Sequence, residues 1–227
     1  MKDLEPTSSY LGIKITRDCK NKIIWIDQQA YIKNTIKRFG LQDANNMKTP
    51  LPVAIHLEKH DGTTTTETKT LFQQMIGTLI YAAIGMRPDI TFTATQLSWY
   101  NNNSSDSHIK YAKHILRYLQ GTKDLHIKYN GRTNAGLIGY SDLDWGENKD
   151  DHHSTSGKKI LMANGCISWA SQWQKTVAIW HHYIWEQYEN KVIKPYHIPG
   201  EENPADLFTK SLTIVKVENF RAMIRLS

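Results

Sequence analysis

Apolar and polar residues alternate at the start of the chain. Tyr10 to Thr16 reads Tyr-Leu-Gly-Ile-Lys-Ile-Thr, and Lys22 to Asp27 reads Lys-Ile-Ile-Trp-Ile-Asp, with polar Arg17 to Asn21 between them. Period-two runs joined by a connection of that length predict an antiparallel hairpin. The period then changes. Tyr31, Ile32, Thr35, Ile36 and Phe39 fall on one face of a helix over 28–39, Lys33, Lys37 and Arg38 lie mostly off it, and Gly40 supplies the stop. From 43 to 66, Pro50, Pro52, Asp61-Gly62 and four threonines predict a loop longer than the usual connection. Such a loop either links to a separate subdomain or drapes over a surface.

Three helices are predicted next. The first, over 71–84, repeats Phe72, Met75, Ile76, Leu79, Ile80 and Ala83 at intervals of three and four. Met86-Arg87-Pro88-Asp89 breaks it, and Asp89 is expected to cap a second helix carrying Ile90, Ala94, Leu97 and Tyr100. The third runs from about Asp106 to Gln120. It sets Ile109, Ala112, Ile115, Leu116 and Leu119 on one face against a basic ridge of Lys110, Lys113, His114 and Arg117. The ridge is either a solvated face or a phosphate-contacting one.

After Asn130-Gly131, strands are predicted over 137–141, 157–162 and 166–171, the last two joined at Ala163-Asn164-Gly165. A helix over 181–190, a strand over 192–198 and a short helix over 203–211, with Pro204 in its first turn, complete the pattern. The class is α+β: a hairpin and a helical layer followed by an α/β arrangement.

Composition alters this picture little. The 227 residues suffice for one large domain or two small ones, and 40% hydrophobic content supports packed cores. A formal charge of +6 favours polyanionic partners without selecting one. Two cysteines, Cys19 and Cys166, are too few for a disulfide framework. The charged N-terminus is unlike a signal peptide and no apolar run reaches the length of a membrane span, so an intracellular protein without a membrane partner, cytoplasmic or nuclear, is expected.

Candidate chemistry centres on Leu137 to Trp145, an apolar strand that ends in Asp142 and Asp144. Carboxylates on a rigid strand end suit a divalent cation, yet Ser141, Asp142 and Asp144 equally suit the turn that ends the strand. Glu186 and Glu189 share a helical face, and Asp150 and Asp151 lie in a polar turn. The pairs His152-His153 and His181-His182 point apart along a helix or strand and lack cysteine partners, which argues against zinc.

Seven blocks in order resemble the C-terminal part of a copia-type retrotransposon Pol polyprotein, from the end of the reverse transcriptase through the RNase H domain. They are Tyr10 to Ile13, Ile76 to Tyr81, Arg87 to Ile90, Ile115 to Thr122, Gly139 to Trp145, Ser154 to Gly157 and Pro204 to Lys210. The resemblance implies a palm end with linker over 1–60, a helical thumb and connection region over 61–130, and an RNase H-like α/β domain over 131–227. It implies that Tyr10, Leu11 and Gly12 position a primer end and that Lys110, Lys113 and Arg117 track an RNA/DNA hybrid or other duplex. Asp142 and Asp206 match the first and last metal-binding carboxylates of RNase H, a Mg²⁺-dependent activity. The rest of a Pol polyprotein is a further implied partner.

Departures from the family pattern matter equally. The polymerase aspartate pair lies upstream of the matched region, so this chain is expected not to polymerise by itself. Ala178 runs directly into Ile179-Trp180-His181-His182-Tyr183, which resembles a segment past the two middle RNase H carboxylates. Two carboxylates cannot offset the charge of two divalent cations, so no RNase H turnover and no productive Mg²⁺ binding are expected. Either the chain is a disabled remnant of polymerase and nuclease, or it is a noncatalytic nucleic-acid-binding module that keeps the basic helical layer. The incomplete sheet is expected to keep three antiparallel strands with a loosely docked C-terminal unit.

Overall fold

The alternating positions near the N-terminus pair into a sheet. The computed structural model describes residues 6–53, 55, 57–133, 136–144, 154–174 and 186–226, with only the backbone of Asp144, Ser154, Trp173 and Gln174. Strands β1 (Ser9–Tyr10), β2 (Ile13–Asp18) and β3 (Ile23–Asp27) are antiparallel neighbours. The strand expected from Tyr10 to Thr16 is therefore interrupted. Leu11 and Gly12 take φ of +47° and +73° and turn β1 back onto β2. Consecutive residues with positive φ make the tight turn whose twist suits paired strands, and Gly12 adopts it with no Cβ penalty.

The helices follow the predicted faces. α1 (Gln29–Arg38) buries Ile32, Thr35 and Ile36. Gly40 at φ +65° ends it, and the Leu41 amide donates to the Ile36 carbonyl at 3.1 Å, satisfying an orphan carbonyl. α2 (Thr66–Gly85) starts earlier than expected because the Thr65 side chain accepts the Thr68 amide as an N-cap. α3 (Thr91–Ser98) and α4 (Asp106–Gly121) complete the layer, and Ile32, Phe72, Leu79, Leu97, Ile115 and Leu116 meet in one core. The long loop drapes over this layer. Tyr100 Oη donates to the Leu57 carbonyl at 2.8 Å, and Asn103 Nδ2 donates to that of His60 at 2.6 Å.

Asp89 is not the helix cap expected of it. Pro88–Ile90 forms a 3-10 turn that buries all three residues. Arg87 grips Asp89 through two hydrogen bonds of 2.9 and 2.7 Å, and Tyr118 Oη donates to Asp89 Oδ2 at 2.6 Å. Arg87 also reaches the Thr122 carbonyl and hydroxyl, and Arg221 donates to Tyr118 Oη. Burial alone would raise the Asp89 carboxyl, but the Arg87 charge and the hydrogen bonds from Arg87 and Tyr118 outweigh it and hold the group below the usual carboxylate range.

Past α4, β4 (His126–Asn130), which the pattern did not predict, pairs antiparallel with β3. A second sheet has the order β5 (Ile138–Asp144), β6 (Ser154–Met162), β7 (Gly165–Gln174), all antiparallel as expected. Ala163 and Asn164, both with positive φ, make the β6–β7 turn. Residues 192–198 form no strand; Pro195 withholds a ladder donor mid-run, and Val192 and Tyr196 are exposed. The C-terminal unit is docked from Pro204 onward, whereas described residues 186–203 are exposed or half-buried. A 3-10 helix over Pro204–Phe208 is entirely buried, and the unpredicted α5 (Ile214–Met223) buries Val217 and Phe220. With Met86, Ile127, Leu161 and Cys166 these build a second core. The result is a mixed α+β fold, and among the described residues no helix is long and apolar enough to cross a membrane.

Lys159 on β6 is an anomaly in that second sheet. It is 1% exposed, and its Nζ has no hydrogen-bond partner among the described residues, only the Tyr140 ring 4.4 Å away. Burial lowers its amine from 10.5 to about 7. The unfolded chain therefore binds a proton that the folded one refuses. The associated stability is full above about pH 10.5 and is lost as pH falls through about 7. Lys159→Met is expected to abolish this slope and raise stability at pH 6, read by urea denaturation across pH; an unchanged slope would refute the assignment. Asp89→Ala strands a buried guanidinium and is expected to cost about 3–5 kcal/mol in the same assay. A loss under about 1 kcal/mol would show that the pair is dispensable.

Candidate functional site

Asp142 and Asp206, separated by 63 intervening residues, are brought together. β5 carries Asp142 opposite Gly157 of β6, and the Pro204–Phe208 turn carries Asp206. Asn203 seats that turn by accepting the Ala205 amide at 3.1 Å and donating Nδ2 to the Ser141 carbonyl at 2.9 Å. Gly157 makes room for it. A Cβ there would lie 2.8 Å from the Ala205 carbonyl oxygen and 2.8 Å from Phe208 Cβ.

Two further residues, within the Pro204 to Lys210 block but given no role there, complete the cluster. Thr209 Oγ1 donates to Asp142 Oδ2 at 2.5 Å, and Lys210 Nζ lies 3.3 Å from Asp206 Oδ2 and 3.9 Å from Asp142 Oδ2. Burial pushes the Asp206 carboxyl above its ordinary value; the Lys210 ammonium opposes that rise and the Asp142 charge adds to it. The signal for Lys210 was its i,i+4 spacing from Asp206. What the spacing could not show is that the side chain points back over both acids.

These donors do not fit a pair of Mg²⁺ ions. Each Mg²⁺ requires octahedral oxygen ligation, and the pair carries four positive charges. The cluster supplies two carboxylates and one hydroxyl, with an ammonium already among them. Among the described residues no group of three or more His, Cys, Asp or Glu is placed to hold a metal. Glu186 is exposed on a short helical turn over 186–189, as is Glu189. The Asp144 side chain, Trp145, Asp150, Asp151, both histidine pairs and the Ala178-Ile179 junction lie outside the described residues.

The expected nucleic-acid contacts belong to two elements, the β1–β2 turn and α4. Tyr10 and Leu11 are 64% and 67% exposed at the β1–β2 turn, and Tyr81 of α2 holds that turn by donating its hydroxyl to the Leu11 carbonyl at 2.5 Å. Gly12 provides the left-handed corner. The α4 ridge divides in two. Lys110 and Lys113 are exposed, whereas Arg117 Nε donates to the Asn45 carbonyl at 2.6 Å and His114 Nε2 bonds the Thr49 carbonyl at 3.0 Å. Arg117 and His114 thus anchor the draped loop, so the ridge is not the uniform face that the spacing suggested. Asp43, Asp106, Lys110, Lys113 and Arg117 border a surface groove of about 680 Å³.

Comparison with known proteins places these features in context. The chain is 34% identical over 184 residues to the "Retrovirus-related Pol polyprotein from transposon TNT 1-94" of Nicotiana tabacum, covering 79% of this chain and 14% of that protein. It is 33% identical over 177 residues to the corresponding polyprotein from transposon RE1 of Arabidopsis thaliana, covering 78% and 12%. It is 30% identical over 179 residues to a putative transposon Ty5-1 protein of Saccharomyces cerevisiae, covering 78% and 57%. The chain thus spans a small part of the two plant polyproteins and just over half of the yeast protein. No family model matches, and no solved structure matches.

Gly157→Ala is expected to push the Pro204–Phe208 turn off β6 and to cost about 1–3 kcal/mol, with faster amide exchange over 205–210. Unchanged stability and exchange would show that the close approach is not what seats Asp206.

Proposed function

Since the chain belongs to the Pol polyproteins of copia-type retrotransposons, we propose that it is a remnant of a reverse transcriptase and RNase H that no longer cuts RNA in RNA/DNA hybrids. The ancestral work was RNA-directed DNA synthesis and hybrid cleavage. In this reading residues 1–60 are the palm end, 61–130 the thumb and connection, and 131–227 a shortened RNase H domain whose first three strands are β5, β6 and β7. The loss of cleavage rests on the run from Ala178 into a segment past the two middle carboxylates, and is supported by Asp142 and Asp206, which converge as the first and last would but around the Lys210 ammonium. Two-metal hydrolysis needs a water activated on one cation and a leaving oxygen stabilised on the other, and this donor set suits neither role. The decisive measurement is a Mg²⁺-dependent hybrid-cleavage assay with Asp142→Asn as control. No cleavage is expected, and turnover abolished by that substitution would defeat the proposal.

A second reading, a noncatalytic module that binds an RNA/DNA hybrid or other duplex, rests on exposed Lys110 and Lys113 beside the groove. Backbone phosphate contacts release counterions, so affinity should fall steeply with salt. Replacing both lysines with alanine is expected to reduce the log–log salt slope by about 2 while affecting all sequences alike. A slope identical to that of the wild type would remove α4 from the interface.

A further inference from the structure

Lys210 is held where it is by the fold and not by side-chain chance. Its amide donates to the Asp206 carbonyl at 3.2 Å, which continues the Pro204–Phe208 turn by one step and places the side chain four residues beyond Asp206 on the same side. The side chains of Asp206 and Asp142 are 3% and 19% exposed, against 38% for Lys210. Thr209, one residue earlier, spends its hydroxyl on Asp142. Two shielded anions from distant parts of the chain therefore meet one cation that enters from the solvent side.

An isolated buried carboxylate is expensive, and two that approach each other are more so unless a counter-charge is present. A tethered ammonium has a large advantage over a free ion here. It is present at high effective concentration, and it need not shed a tightly held hydration shell as Mg²⁺ must.

We propose that Lys210 is the resident cation of the Asp142–Asp206 pair, tying β5 to the C-terminal turn and excluding divalent metal from it. The cluster is a structural cross-link built from former ligand positions. This goes beyond the loss of cleavage, because a protein can fail to cut a hybrid and still bind Mg²⁺ at two carboxylates.

The test is thermal unfolding of the full chain by circular dichroism at constant ionic strength, with and without about 5 mM Mn²⁺ or Mg²⁺, since an ion that binds only the folded state must raise Tm. Wild type should show no metal-dependent shift. Lys210→Met should unfold at lower temperature and recover part of the loss with Mn²⁺, whereas Lys210→Met combined with Asp142→Asn should be more stable than Lys210→Met alone and should ignore Mn²⁺. If Lys210→Met does not fold by itself, rescue by the second substitution supports the proposal, and failure of that rescue overturns it. Titration calorimetry on the wild type needs no variant: saturable Mn²⁺ binding tighter than about 1 mM, lost in Asp142→Asn, overturns it too. So does a Lys210→Met protein as stable as wild type. The cleavage assay reads a different property, so either proposal can fail while the other stands.

Discussion

A buried ion pair joins the two halves of this molecule. Arg87 and Asp89 sit at the corner where α2 gives way to the 3-10 turn, both about 1–2% exposed. Asp89 binds Tyr118 of α4, Arg87 binds Thr122 just after α4, and Arg221 of α5 closes the circuit on Tyr118. Met86, one residue before this pair, lies in the second core, and Ile90, one residue after it, lies in the first. The Arg87 charge and the hydrogen bonds from Arg87 and Tyr118 outweigh the cost of burying Asp89, and their directions fix the geometry of the corner. Through these hydrogen bonds the network fixes how the helical layer meets the C-terminal helix.

The second core depends on that meeting, because no single stretch of chain could build it. Ile127 comes from β4, Leu161 and Cys166 from the three-stranded sheet, Phe208 from the 3-10 turn and Phe220 from α5. The C-terminus closes it, with Leu226 bridging to Ile127. Asp206 is set precisely enough to face Asp142 because Leu207 and Phe208 beside it are core residues. Trp169 ties this assembly back to the helical layer through its indole donor to the Ala83 carbonyl at 2.8 Å.

The basic helix shows how packing redistributes charge that a helical wheel treats as equivalent. Lys110, Lys113, His114 and Arg117 share a side of α4, but the loop over 43–60 has its own backbone carbonyls to satisfy. Asn45 and Thr49 take Arg117 and His114 for that purpose. Two lysines are left facing solvent beside the groove. On the opposite flank of α4, the Ser105–His108 capping box and the stacking of His108 on Tyr100 hold the helix start.

Local pattern alone determined much of this protein. The faces of α1, α2 and α4, the stop at Gly40 and the β2–β3 and β6–β7 hairpins all follow from periodicity and turn chemistry, which are properties of neighbouring residues, whereas the three-stranded antiparallel sheet is implied by the family resemblance. Family motifs singled out Asp142 and Asp206 as a pair, and the fold brings them together. What the chain order could not reveal depends on contacts between distant segments. β4 became a strand because the β3 edge was there to receive it. Asp89 passed from cap to buried anion because Arg87 and Tyr118 reached it. Residues 192–198 did not pair, and the C-terminal helix docked on a core assembled from four other pieces. Lys210 is the clearest case. Its spacing from Asp206 is local, but its position over both carboxylates exists only once β5 and the C-terminal turn have met, since a charge acts on what is near in space.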